Sequence, residues 1–189
     1  MAYLQARIMG RDEPETIDLV AEALRGNAEA RRSLYDRYQA SVNRTAARVA
    51  IRPDDVDDLV QDAFVLAFER LERLRDRAAF GAWVRSIVIR LAAKRLRRHR
   101  LARRLGLVEA AVLTRTVAVV PGESATEAAL VLEETVEALA QLPGQAGEAL
   151  YLHRIEGMTV PQLARHLGVS EPTVKRRLAR ACSELEALR

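Results

Sequence analysis

The sequence predicts an all-α protein made of two small helical domains joined by a flexible linker. Three observations carry this. Apolar residues recur at three- and four-residue steps along most of the chain, with no strand-like alternation of useful length. Its richness in Ala, Leu and Arg favours helix over strand. The rhythm lapses over residues 105–127, where Gly106, Pro121-Gly122 and Ser124 fall. The expected division is therefore a domain over 1–104, a linker over 105–127 and a domain over 128–189.

The elements follow in order. Ile17 to Leu24 reads as a short apolar-faced helix, stopped by Gly26-Asn27. A longer helix carries Leu34, Tyr38, Val42 and Val49, and ends before Pro53, since the residue preceding proline resists helical geometry. Asp54 suits the N-cap of a third helix. That helix places Val56, Leu59, Val60, Ala63, Phe64, Ala67, Phe68 and Leu71 on an inner stripe. Residues 73–79 break the pattern and read as a connecting turn. A fourth helix carries Phe80, Val84, Ile87 and Leu91 and becomes strongly basic in its C-terminal half. Within the linker, residues 107–113 suggest some transient helix. Helical pattern returns from Glu127 to Leu142 and is ended by Pro143-Gly144. Helices over about 145–156 and 160–167 and a last one to the C-terminus follow, separated by turns at Gly157 and Gly168.

Charge is unevenly placed. The formal net charge is only +4, but Arg85 to Arg104 holds nine Arg or Lys and no acid. Asp54 to Asp62 holds five Asp and no base. Such asymmetry suggests two partners on two surfaces. Asp54 and Asp57 suit the positive end of a helix dipole. Asp55, Asp58 and Asp62 share one outer stripe, with Gln61 beside it, and a basic protein partner is the better functional reading for them. No Gly turn or His converges there for a metal.

The segment TVPQLARHLGVSEPTVKRRLARACSEL is the most specific signal. Thr159 begins a short helix with Val160, Leu163, Ala164 and Leu167 inside. Gly168 supplies a tight turn at positive φ. Val169 plugs the core, Ser170 caps the next helix and Pro172 sits harmlessly in its first turn. Val174, Leu178, Ala181, Leu185 and Leu188 form the inner stripe. This is the spacing of a helix-turn-helix, whose second helix enters the major groove. The outward residues are Glu171, Thr173, Lys175, Arg176, Arg177 and Arg180. An ordinary helical hairpin with a solvated basic face is the plainer alternative; the agreement of glycine, cap, proline and apolar stripe favours DNA binding.

In the fourth helix, Arg90, Lys94 and Arg97 lie on one stripe, widened by Arg85, Arg95, Arg98, Arg100, Arg103 and Arg104. A basic face without acids suits a phosphate backbone. Phe80 and Trp83 pack a core, or Trp83 stacks on an unpaired base.

Together these segments resemble the extracytoplasmic-function group of sigma-70 family sigma factors. DDVDDLVQDAFVLAFERL resembles the region that binds the polymerase clamp. FGAWVRSIVIRLAAKRLRRHR resembles the region that melts and reads the −10 promoter element. QLPGQAGEALYLHRIEGMTVPQLARHLGVSEPTVKRRLARA resembles the domain that reads the −35 element. The resemblance implies that Asp55, Asp58, Leu59, Gln61, Asp62 and Phe64 serve core RNA polymerase. It assigns the −10 element to Arg73, Arg75, Asp76, Arg77, Trp83, Arg90, Lys94, Arg97 and Arg98, the turn over 73–79 capturing a flipped base. It assigns the −35 groove to Ser170, Glu171, Thr173, Lys175, Arg176, Arg177 and Arg180. It places the linker near the polymerase active centre and implies an anti-sigma partner. The family commonly has Asn where this chain has Arg90 and Asp where it has Lys94, so both departures add positive charge.

The expected function is thus promoter-specific initiation with core RNA polymerase and promoter DNA as partners. A stand-alone helix-turn-helix regulator and a sigma-like protein without standard −10 recognition are the alternatives. An enzyme is not expected: His99, His153 and His166 are scattered, phosphate-binding glycine motifs are absent, and Cys182 lies beside an apolar stripe. No cofactor or metal is implied. A single cysteine, no signal-peptide core and no bilayer-length apolar run lead to an expectation of a cytoplasmic protein without membrane insertion.

Overall fold

The computed structural model describes residues 13–105 and 146–186. The linker expected over 105–127 lies outside these from residue 106 onward, as do the transient helix at 107–113 and the helix from Glu127 to Leu142. Among the described residues there are seven α-helices, two short 3-10 turns and no strand. The first domain holds α1 (Glu13–Leu24), α2 (Ala28–Val49), α3 (Asp55–Glu69) and α4 (Phe80–Arg104). The 3-10 turns Leu71–Arg73 and Arg77–Ala79 join α3 to α4, where the broken rhythm places a connection. The second domain holds α5 (Ala146–Arg154), α6 (Val160–Leu167) and α7 (Glu171–Glu186).

Local chemistry sets the boundaries. Asn27 caps α2, its Oδ1 accepting from the N–H groups of Glu29 (2.9 Å) and Ala30 (3.3 Å). Asp54 occupies the N-cap position of α3 but has helical φ/ψ and makes no side-chain cap. Its contribution there is the charge of a first-turn carboxylate. In α1 the buried positions are Thr16, Val20 and Ala23, while Ile17 and Leu24 face outward. The inward face thus leaves out Ile17 and Leu24, the two residues that bound the expected helix. It is anchored by Thr16, whose hydroxyl meets the Tyr38 hydroxyl at 2.8 Å.

Helix α4 is the spine: it packs along both α2 and α3, and it also meets α5 of the second domain. An array of aromatic rings runs through the first three of these helices. Tyr35 meets Phe64 (4.6 Å between centroids), Phe64 meets Phe68 (6.1 Å), and Phe68 meets Phe80 (6.2 Å). Phe80 in turn touches Tyr38 (5.4 Å) and Trp83 (6.3 Å). All three phenylalanines of the chain stand in this array. Such edge and offset contacts each add roughly 0.5–1.5 kcal/mol beyond area burial.

Gly81 sits where α4 crosses Tyr38. A Cβ there would stand 2.5 Å from Tyr38 Cε1, so the crossing requires a residue without one. Gly81→Ala should push the Tyr38 ring aside, disturb its bond to Thr16, and destabilise the protein by about 1–3 kcal/mol. Thermal denaturation followed by circular dichroism checks this; an unchanged midpoint contradicts it.

Candidate nucleic-acid interface

The helix-turn-helix forms as its residues dictate. Thr159 caps α6 in a reciprocal box: its backbone N–H donates to Gln162 Oε1 (2.8 Å) while its hydroxyl accepts from Gln162 N–H (3.5 Å). Gly168 ends α6 in the left-handed region at φ 65°, and Val169 N–H closes back on Ala164 O at 3.1 Å. Leu163, Val174 and Ala181 are buried between the helices.

The outer face of α7 begins with exposed Ser170 and Glu171, with half-buried Thr173 beside them. Ser170 Oγ and Thr173 Oγ1 lie 3.0 Å apart. Lys175 and Arg176 are exposed. Arg180 is exposed but donates to Glu184 at 2.8 Å, one turn on. Arg177 differs from the outward reading. It is half-buried, with Nη1 inside and unpartnered, because it falls one helical turn after Val174 on the inward side. The side chains of Leu185 and Arg103, and residue Leu188, lie outside the described set.

In the first domain, Asp58, Gln61 and Asp62 are exposed and Asp55 is half-buried. Leu59 and Phe64 are buried and support that face from within. Asp62 accepts from Arg95 of α4 at 2.8 Å, so Arg95 belongs to this acidic edge rather than to an open basic patch. Arg73, Arg75 and Arg77 are exposed on the connection before α4, with Asp76 half-buried. Lys94, Arg97 and Arg98 are exposed along α4. Trp83 is only 8% exposed and packs on Phe80, so it serves the core rather than offering a ring to a base.

The two domains touch through charge, which the residue pattern did not reveal. Arg85 donates through Nε to Glu156 Oε1 (2.6 Å) and through Nη2 to Glu156 Oε2. Tyr151 donates to the same Glu156 Oε1 at 2.7 Å. Glu148 is 5% exposed at its side chain; it receives Ser86 Oγ at 3.1 Å and Arg90 Nη1 at 3.3 Å. The Arg75 guanidinium lies against Gly168, so close that a Cβ on the glycine would stand 2.2 Å from Arg75 Cζ. The sequence signal for this contact was Glu148, a carboxylate inside the apolar run of α5.

Burial disfavours the charge of Arg85, but hydrogen bonding and attraction from Glu156, with Tyr151, more than offset this and push its pKa up. Burial, then the Glu156 charge, pushes the Tyr151 phenol far up, so it stays protonated and donates. His166 is buried on α6 with Nδ1 unpartnered, and desolvation pulls its pKa down despite opposing attraction from Glu148 and Asp76. Among the described residues no His, Cys, Asp and Glu group could hold a metal, and no helix is long and apolar enough to cross a membrane.

A helical domain with an acidic outer edge and a basic spine, followed by a capped helix-turn-helix, defines a two-domain DNA-binding transcription protein. The "Sigma-70 region 2" family matches residues 34–102, and "Sigma-70, region 4" matches residues 132–185. The chain is 30% identical over 179 residues to ECF RNA polymerase sigma factor SigM of Mycobacterium tuberculosis, covering 95% of this chain and 87% of SigM. It is 32% identical over 183 residues to RNA polymerase sigma factor CnrH of Cupriavidus metallidurans, covering 93% and 95%. It is 39% identical over 142 residues to "Probable RNA polymerase sigma factor RfaY" of Xanthomonas campestris, covering 72% of this chain but only 35% of RfaY. The solved structure of CnrH in complex with the cytosolic domain of CnrY matches with a TM-score of 0.50 at 30% identity, covering 91% of this chain and 95% of that one. The chain belongs to the extracytoplasmic-function group of sigma-70 family sigma factors, non-catalytic subunits that direct RNA polymerase to promoters.

His166 gives a pH signature. Its pKa is lowered in the fold, so the unfolded chain binds more protons as pH falls through the ordinary histidine range near 6.5. Stability contributed by neutral His166 should be complete well above that value and should decline below it. Urea denaturation at pH 7.5 and 5.5 should show a larger loss for the native protein than for His166→Leu; equal losses would show that His166 does not contribute.

Proposed function

We propose that the first domain binds core RNA polymerase through Asp55, Asp58, Gln61 and Asp62, with Leu59 and Phe64 supporting that face. The exposed run Arg73, Arg75 and Arg77 then captures an unstacked base of the −10 element, and Lys94, Arg97 and Arg98 follow the adjoining backbone. Unstacking costs roughly a few kcal/mol per step, offset by base capture and phosphate contacts. The second domain reads the −35 element with Glu171, Thr173, Lys175 and Arg176, positioned by Ser170. Arg180, tied to Glu184, serves the phosphates. The single observation that carries this reading is the placement of exposed acids on α3 and exposed bases on α4 and α7, each on a helix whose inner residues are buried.

The matched CnrH structure holds the cytosolic domain of CnrY. By that likeness an anti-sigma protein is the further partner of this chain, and the cytoplasm its place of action. The domain boundaries 1–104 and 128–189, with the linker between, belong to the same proposal.

Run-off transcription with purified core enzyme tests the reading. Asp58→Arg together with Asp62→Arg should abolish promoter-specific initiation while leaving binding to duplex DNA within twofold. A stand-alone regulator would instead retain its full regulatory effect with these changes. Lys175→Ala should weaken promoter binding and lower the slope of log affinity against log salt by about one. An unchanged slope would remove Lys175 from the DNA contact.

A further inference from the structure

Arg95 stands in the sequence among the bases of α4, between Lys94 and Arg97. Its side chain does not stay with them. It turns toward α3, where Nη2 donates to Asp62 Oδ2 at 2.8 Å and Nη1 reaches the Asp55 carbonyl at 3.4 Å. Lys94, Arg97 and Arg98 are exposed, whereas Arg95 is set back with 26% of its side chain exposed. One guanidinium thus clasps both the first turn of α3 and a carboxylate two turns later.

Asp62 is the outer member of the pair, 57% exposed. An ionised carboxylate has room for more than one donor. With Oδ2 taken by Arg95, Oδ1 is left for a second cation arriving from solvent. Asp58 stands one turn earlier on the same stripe, and like charges at that spacing repel. Arg95 offsets the repulsion and holds the Asp62 side chain in one position beside Asp58.

We propose that Arg95 is a positioning residue of the polymerase-binding face. It acts through Asp62, presenting that carboxylate already oriented to a basic surface of core RNA polymerase, and it does not serve DNA. The inference rests on the acidic face of α3 binding polymerase, as given under the proposed function. An exposed ion pair adds little to folding stability, because screening and side-chain entropy offset the attraction. Its use lies in binding: a side chain already fixed loses less freedom when the partner arrives. Arginine suits the task because its planar fork carries donors at fixed spacing, which lysine lacks. Its own charge opposes a cationic partner, but it sits behind Asp62, so the partner meets the carboxylate first.

Fluorescence anisotropy tests this, with purified core enzyme titrated into the full-length chain. The label is placed at the exposed position Ser183→Cys in a Cys182→Ser background. Arg95→Gln should weaken core binding roughly three- to tenfold with an unchanged thermal midpoint. Arg95→Lys, which keeps a cation beside Asp62, should recover most of that loss. In an Asp62→Asn background, Arg95→Gln should change core binding less than twofold, since no carboxylate is left to orient. Binding of Arg95→Gln to a 30-base-pair random duplex should keep the parent's affinity and salt dependence. Core binding by Arg95→Gln that equals or exceeds the parent's overturns the proposal. So does an equal loss in the Asp62→Asn background, which a merely structural role would produce. A slope of log affinity against log salt lowered by about one would place Arg95 on phosphate and overturn it as well. Asp58→Arg with Asp62→Arg in the same titration separates the two readings. If that variant loses core enzyme while Arg95→Gln keeps it, only the positioning role fails. If it binds core enzyme as the parent does, the acidic face is not the contact and both readings fall.

Discussion

Two carboxylates lie largely out of water where the domains meet, and the contact between the domains is organised by the groups that meet them. Glu156 is met by a planar guanidinium with two donors and by a phenol that cannot ionise in that setting. Glu148 is met by a hydroxyl and a second guanidinium. Bidentate Arg–carboxylate geometry is the strong form of such a pair. Its net contribution to stability is nonetheless small, because desolvation cancels much of the attraction. What it supplies is orientation: removing one partner leaves the other stranded, at a cost of roughly 3–5 kcal/mol. The apolar cluster provides the adhesion, and the charges specify where it forms.

Helix α4 can serve three neighbours because its faces differ in chemistry. One apolar face closes the first-domain core against α2 and α3. A second edge carries Arg95 to Asp62 and ties the spine to the acidic helix. This pair is largely exposed and contributes little energy, roughly 0–1 kcal/mol. Its effect is on charge distribution: it takes one arginine out of the basic stripe and partly neutralises one aspartate. The third edge carries Arg85 and Arg90 to the second domain. A net charge of only +4 thus conceals surfaces of opposite sign.

Local signals were legible in the sequence and distant ones were not. The capping box at Thr159, the left-handed Gly168 and the inner stripe through Val174 and Ala181 depend on residues within a turn or two of one another. They appear as the spacing predicts. The acidic helix and its buried supports Leu59 and Phe64 were legible for the same reason. The buried face is less legible where a helix has two apolar options. In α1 the hydroxyl pair between Thr16 and Tyr38 selects the face that buries Val20 and Ala23, leaving Ile17 and Leu24 outside. Arg177 was placed outward because arginine usually is, yet its register follows Val174, and its stem packs inward. The partners of Arg85 and Arg90 were beyond reach. Periodicity reports which face of a helix is apolar, not which charge 58 or 71 residues away will meet it.

The chain between the domains decides whether such a contact can be both specific and reversible. The linker of the proposed division, residues 105–127, spans at most ~80 Å when fully extended. That is of the order of the ~85 Å that ~25 base pairs cover at ~3.4 Å each, so reaching two promoter elements at once calls on the breadth of the domains as well as on the linker. Tethering also makes the contact intramolecular, with a high effective concentration of one domain about the other. A modest interface then suffices to hold the domains together. Its charged part is made by arginines, whose planar guanidinium matches a carboxylate with paired donors, so the contact is specific in geometry as well as local in concentration.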